Sequence, residues 1–205
     1  MEIQHRFIDN LIPNWEFETL YVGTFNPNIY NEKILANNEI DFFYGRPKNL
    51  FWDVMPKIHC SQSLIGATKK TKIEFLKNNR VAVTDIVRAV TFPDTLEEIA
   101  TEKLVKYKDS DLDYFIKTEG CAIETTSIAD ILINNGENTA RVILTRQNPN
   151  NLRFIRDTWR SLPGVFMGNI YTVWSPSCWG LKSKSVNLSR EEALFRKWNE
   201  VINLK

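Results

Sequence analysis

The stretch Thr19-Leu20-Tyr21-Val22-Gly23-Thr24-Phe25-Asn26-Pro27-Asn28 runs from an apolar, β-rich segment straight into an Asn-Pro-Asn turn. Three more segments share its character: Arg80-Val81-Ala82-Val83-Thr84-Asp85, Arg141-Val142-Ile143-Leu144-Thr145 and Ile170-Tyr171-Thr172-Val173-Trp174. Each is short and largely apolar, and each ends in or leads directly into polar residues. Between them lie helical spacings. Leu50, Phe51, Val54, Met55 and Ile58 share a helix face within 49–58, and further helices are expected over 70–77, 111–117, 127–134, 152–162 and 190–202. Gly136 follows Asn135 where the helix over 127–134 should end. Strand-like runs separated by helices, with no hairpin turns between them, predict an α/β fold. The expected architecture is a three-layer α/β/α sandwich around a central, mostly parallel four-stranded sheet. In such sheets ligands bind beyond the carboxyl ends of the strands. Those ends are 24–28, 84–88, 145–150 and 175–180, which are also the polar, Asn/Ser/Pro-rich segments of the chain.

With 205 residues, 43% hydrophobic and 25% charged, the chain has the composition of a globular protein and is expected to form one domain over 1–205. No apolar run approaches the roughly 20 residues of a membrane span, and Met1-Glu2-Ile3-Gln4-His5-Arg6 is too polar to open a secretory signal. The three cysteines, Cys60, Cys121 and Cys178, imply no disulfide framework. A reducing cytoplasmic or nucleoid setting is therefore expected. The net charge of +1 hides an asymmetry. Residues 141–205 hold 11 Lys/Arg against 4 Asp/Glu, and residues 85–137 hold 5 against 12. One face is expected to be cationic, and a cationic face can dock on phosphates. Chance clustering of surface charge gives the same numbers.

Several chemistries are excluded. The glycines form no phosphate-binding loop. Asp109-Ser110-Asp111-Leu112-Asp113 begins like a calcium loop, but Tyr114 and Gly120 stand where Gly and Glu are needed, so it reads as a helix N-terminus. His5 and His59 are the only histidines. His59-Cys60 lacks companions at ligand spacing, so no metal is expected, and both histidines read as surface residues.

A second segment, Phe42-Phe43-Tyr44-Gly45-Arg46-Pro47-Lys48-Asn49-Leu50-Phe51-Trp52, joins aromatic residues, a Gly-x-Pro turn and an Asn at a helix start. Asn49 reads as a helix cap, and the aromatics as core, as readily as they read as a site. Together with the first segment, however, it resembles the uracil-DNA glycosylase superfamily, nearest the mismatch-specific uracil/thymine and hypoxanthine-DNA glycosylase branches. Tyr44-x-Arg46-Pro47-x-Asn49-x-Phe51-Trp52 is similar to the segment after that family's first motif, and Gly23 with Asn26-Pro27 to the motif itself. Val83-Thr84-Asp85-Ile86-Val87-Arg88 resembles the second strand with its Asp, Asp111-Leu112-Asp113 a Ser-Leu-Asp of the hypoxanthine branch, and Trp174-Ser175-Pro176-Ser177 the last strand with its Ser-Pro. Order and spacing agree over 18–200. Thr24 stands where the motif has Gly, Asn28 replaces its final Gly, and no histidine follows Ser177.

The resemblance implies hydrolysis of an N-glycosidic bond in DNA, without a cofactor, on a base of the uracil or hypoxanthine class taken out of the stack. DNA is the implied partner; no membrane is expected, and the oligomeric state stays open with a monomer favoured. A neutral carboxamide suits the chemistry, its carbonyl orienting a water while its NH2 is fixed elsewhere. Asn26 and Asn49 both qualify, one of them for the base edge. Phe43 or Tyr44 is expected to stack on the base and the Phe25 backbone to donate to it. Ser175 and Ser177 are expected to grip phosphates, Trp179 or Leu181 to fill the vacated stack, and Lys182, Lys184, Arg146 and Arg153 to supply counter-charge. Asp85, at a strand end, reads as an orienting residue or a turn cap. The alternatives are a catalytically inactive nucleic-acid-binding or sensing module on the same fold, and an α/β enzyme of free nucleosides.

Overall fold

Strands β2 (Thr19–Gly23), β3 (Val81–Asp85), β6 (Arg141–Leu144) and β7 (Asn169–Thr172) form a parallel four-stranded sheet in the order β3-β2-β6-β7. The computed structural model describes residues 1–29, 42–46, 48–105, 107–177 and 188–203. Every residue of β2 and β3 is buried, as expected where helices cover both faces of a parallel sheet. Alternation sorts their side chains. Tyr21, Val81, Val83 and Ile143 face helices α1 (Phe51–Ile58), α2 (Lys69–Asn78) and α7 (Arg190–Ile202), meeting Phe51, Met55, Leu76 and Trp198. Leu20, Val22, Ala82, Val142 and Leu144 face α5 (Ile128–Asn135) and α6 (Arg153–Ser161), meeting Ile131, Leu132 and Ile155. The fold is thus the three-layer α/β/α sandwich that the run pattern predicts.

The expected strands and helices are all present within a residue or two, and the 109–113 segment does open a helix, α4 (Asp109–Thr118). A second sheet was not legible. Beyond Asp85 the chain passes through the single residue Ile86 into β4 (Val87–Thr91), the centre of an antiparallel sheet with β1 (Glu2–Gln4) and β5 (Ala122–Thr125), in the order β1-β4-β5. Helix α3 (Glu97–Val105), also unforeseen, joins α4 in covering this sheet through Ala100, Leu104, Leu112 and Phe115. Strands β1 and β5 are three and four residues long and largely exposed, so neither carries an apolar alternation of its own. Their pairing with β4 is non-local and leaves no mark in either segment.

Among the described residues no helix is long and apolar enough to cross a membrane.

The reading of both histidines as surface residues is corrected. His5 is 1% exposed. The β1 chain continues past Gln4 so that the His5 N–H bonds to the Arg88 carbonyl, while Arg6 and Asn28 complete bonds across to the 26–28 turn. His59 is partly buried beside Tyr21, sharing a 3.4 Å hydrogen bond with its hydroxyl. Burial first and the Arg141 charge second push the His59 pKa down to about 4. Between about pH 6.5 and 4 the unfolded chain therefore takes up a proton that the folded chain refuses. Stability should fall by up to about 3 kcal/mol as pH is lowered through that window, then level off. Urea unfolding of the wild type and His59→Gln at pH 7 and pH 4.5 checks this; the variant should lose less on acidification.

Candidate active site

A cleft of about 720 Å³ opens beyond the carboxyl ends of the parallel strands. The strand-to-turn residues Thr24, Phe25 and Asn26 follow β2, Asp85 ends β3, and Thr145 follows β6. Ser175, Pro176 and Ser177 lie past β7, and Tyr44 and Asn49 come from the segment leading into α1. The fold thus brings Asn26, Asn49, Tyr44, Phe25, Ser175 and Ser177 to one cavity, from positions up to about 150 residues apart in sequence.

Asp85 is the centre of its hydrogen bonding. The β2–β3 register sets Asp85 opposite Gly23. Asp85 Oδ2 accepts from Asn26 Nδ2 at 2.6 Å and from His5 Nε2 at 2.8 Å. His5 Nδ1 accepts the Phe7 backbone N–H at 2.9 Å, so the imidazole proton sits on Nε2, where it can be donated to Asp85. Asp85 Oδ1 is buried and has no hydrogen-bond partner. Asn26 is therefore held by its NH2 with its carbonyl oxygen left over.

Asn49 is engaged at its other end. Its Oδ1 accepts the N–H of Phe51, the first residue of α1, at 2.9 Å, so the group left for the cleft is its NH2. The neighbouring Leu50 N–H donates to the Pro176 carbonyl at 2.8 Å. That bond ties the entry of α1 to the turn past β7, where the Ser175 and Ser177 hydroxyls lie 2.7 Å apart.

The aromatic run divides between core and cleft. Phe43 is wholly buried, its ring 5.2 Å from that of Phe7 and 5.4 Å from the imidazole of His5. Of the two aromatics expected to offer a face to a base, Phe43 is therefore the one taken up by packing, as support for His5. Tyr44 lines the cleft instead. Its φ of 56° turns the chain, one ring face stacks on Phe51 at 4.0 Å, and its hydroxyl meets Thr145 Oγ1 at 2.9 Å. Burial, with the charges of Asp85 and Asp109, holds the Tyr44 hydroxyl well above its ordinary pKa, and so protonated.

At the rim Asp109 accepts from Thr24 Oγ1 at 3.0 Å and from Arg146 Nη1 at 2.8 Å. Burial pushes the Asp109 carboxyl up against the opposing pull of Arg146. The Tyr107 hydroxyl donates to the Phe25 carbonyl. Arg146 is thus paired with Asp109, and Arg153, at the start of α6, lies outside the cleft. Among the described residues the exposed cations at the mouth are Arg46, Lys48 and Arg190. Trp179, Leu181, Lys182 and Lys184 lie outside the described residues. Among the described residues no group of three or more His, Cys, Asp or Glu side chains gathers where an ion could be held.

Sequence reasoning missed His5, Thr145, Asp109 and Tyr107. Thr145 stands at a strand end, the position class already singled out. His5 carried no local signal, because only the second sheet delivers it to Asp85.

One solved structure shares this fold over most of its length. It is the solution NMR structure of a protein from Methanosarcina acetivorans described as a "putative uracil DNA glycosylase", with a TM-score of 0.51 and 18% sequence identity, covering 90% of this chain and 92% of that one. At that identity the likeness is one of fold. No protein-family model matches the chain, and no curated protein does.

Gly23 is the close-approach point of the site. A Cβ there would collide with both Asp85 Oδ1 and the Tyr44 hydroxyl, two groups held by burial and bonding. Gly23→Ala should cost about 1–3 kcal/mol in urea unfolding, the usual range for overpacking. Combining it with Tyr44→Phe, which deletes one colliding atom, should recover part of that loss.

Proposed function

We propose that this protein is a monofunctional DNA N-glycosylase that hydrolyses the bond between deoxyribose and a flipped, deaminated or mismatched base of the uracil or hypoxanthine class. The observation that carries the reading is the state of Asn26. Its NH2 is anchored on Asp85, it faces a cleft within the size range of ligand pockets, and its carbonyl remains to orient a water. Between the two carboxamides the hydrogen bonding favours Asn26 for the water, because the Asn49 carbonyl already serves the helix. The description attached to the Methanosarcina acetivorans structure names the same chemistry.

The reaction asks little of the protein beyond positioning. As the base departs, the sugar becomes oxocarbenium-like and the base takes up negative charge. A water on the open face of C1′ then completes the hydrolysis. Asn26 Oδ1 accepts a hydrogen bond from that water and aims its lone pair at C1′. The Asn49 NH2 donates to an acceptor on the base edge, where it stabilises the developing charge. One face of the Tyr44 ring is covered by Phe51, leaving the other for stacking, which offsets part of the few kcal/mol lost on unstacking the base. The Phe25 backbone borders the same space. Ser175 and Ser177 take the phosphates beside the extruded nucleotide, and Arg46, Lys48 and Arg190 add charge at the mouth. Trp179 or Leu181 is kept for the vacated stack, with Lys182 and Lys184 as phosphate contacts.

Base release from single-stranded and duplex oligonucleotides carrying uracil, hypoxanthine, xanthine or a T·G mismatch tests the reading. Asn26→Ala should lower single-turnover release by about 100-fold or more while DNA affinity stays within a few-fold. Asn49→Ala should instead change which base is preferred. DNA binding by a wild type that releases none of these bases would favour the inactive sensing module.

Binding should also depend on salt. If Arg46, Lys48 and Arg190 each neutralise one phosphate of a duplex, affinity should fall about 40-fold between 50 and 200 mM salt. Fluorescence-anisotropy titrations across that range measure the slope, and a flat response removes the cationic mouth from the interface.

A further inference from the structure

We infer that the DNA strand leaving the extruded nucleotide lays the base of the adjacent nucleotide in a second cavity beside the cleft, so that the protein takes two consecutive unpaired nucleotides; this rests on the glycosylase reading above. The second cavity has a volume of about 450 Å³, within the range of ligand pockets. It lies beyond the carboxyl ends of β6 and β7 and shares a border with the cleft, formed by Arg46, Tyr107, Asp109, Ser175 and Ser177. Past that border its lining includes Lys108, Arg146, Gln147, Asn148 and Trp174.

The border has the chemistry of a phosphate site. The Ser175 and Ser177 hydroxyls lie 2.7 Å apart, and the exposed Arg46 lines both cavities with them. Asp109 is the one carboxylate on this border. Its Oδ2 already takes Thr24 Oγ1 at 3.0 Å and Arg146 Nη1 at 2.8 Å, so a guanidinium opposes the charge that a phosphate would meet. A phosphodiester joins the sugars of two consecutive nucleotides. With the extruded base on the side of Asn26 and Tyr44, the sugar and base across the shared phosphate fall on the other side of the serines, where the second cavity opens.

Beyond the border the lining suits a base rather than another phosphate. Trp174 is half-buried against the core, and its carbonyl accepts the Trp198 indole N–H at 2.9 Å, which fixes the backbone that carries the ring. Stacking on an aromatic side chain is open to every base, because each has a π face. Gln147 is exposed, and its carboxamide carries two donors and an acceptor for a base edge. Asn148 Oδ1 is engaged by the Asn150 N–H at 3.1 Å, which leaves the Asn148 NH2 for the cavity. Arg46, Lys108 and Arg146 outnumber Asp109, so the cavity is cationic on balance, as the sugar-phosphate chain beside a bound base requires. A base seated here has left its own stack. Duplex DNA therefore bears the unstacking cost twice, whereas a flexible single strand does not. The substrate class is accordingly unpaired DNA, as single strands or locally opened duplex.

Single-turnover release from single-stranded oligonucleotides decides this. The target base is flanked by ordinary nucleotides, by a tetrahydrofuran abasic site on its 5′ side, or by one on its 3′ side. Release at subsaturating protein should fall about 10-fold or more when the neighbour that uses the cavity is missing, the equivalent of one lost base stack. Loss of the other neighbour should change it far less, and duplexes of the same sequence should react more slowly than the single strands. Gln147→Ala and Trp174→Leu should each shrink the ratio between the intact and the abasic substrate. Gln147 is exposed, so its variant keeps the fold even where loss of Trp174 packing lowers stability. Equal release whichever neighbour is missing, a one-sided loss that both variants keep in full, or faster release from duplex overturns this inference alone. Absence of release by the wild type from every oligonucleotide overturns the glycosylase reading and this inference with it.

Discussion

The carboxylate of Asp85 ends the strand at the edge of the parallel sheet, and the geometry of the cleft depends on it. A charged group nearly closed to water must be held by donors, and the chain supplies two from distant places, Asn26 after the neighbouring strand and His5 near the N-terminus. Each donor is itself held. Asn26 sits in the turn bridged by the Arg6 and Asn28 backbone bonds, and His5 is fixed through the Phe7 N–H. Gly23, directly opposite Asp85 in the register, leaves the space in which the carboxylate and the Tyr44 hydroxyl approach the backbone.

This arrangement gives the small antiparallel sheet a purpose beyond packing. Strand β4 continues from β3 after one residue, so the second sheet is an extension of the first past the site. Pairing β1 to β4 draws the N-terminus across the carboxyl ends of the parallel strands and sets His5 behind Asp85. The aromatic cluster of Phe7, Phe42 and Phe43 closes the space behind the imidazole. The segment before α1 follows the same economy. Phe43 and Phe51 are core, the Trp52 indole N–H binds the Phe43 carbonyl, and Tyr44 and Asn49 line the cleft.

Much of this was legible. The four parallel strands and six of the helices show in short apolar runs and 3.6-residue spacings, because burial against helices on both faces imposes those patterns locally. The position of the cleft followed as well, since polar residues gather where parallel strands end. Two features could not be read locally. Phe43 and Tyr44 are adjacent aromatics, and only the backbone turn at Tyr44, with φ of 56°, sends one to the core and the other to the cleft. His5 lies in a polar N-terminal stretch, and nothing near it in the chain signals that it is buried.

The amino-acid sequence by itself determined the layered α/β architecture, the order of its strands along the chain and the set of polar strand ends from which a site could be built. Periodicity and turn chemistry act over a few residues and suffice for that. Tertiary structure alone decided which polar groups meet: that Asn26 spends its NH2 on Asp85 and Asn49 its carbonyl on a helix, that His5 stands behind the carboxylate, and that one oxygen of Asp85 is left without a donor. Those outcomes depend on pairing between segments as much as 80 residues apart and on which atoms burial cuts off from water, and no local pattern encodes either.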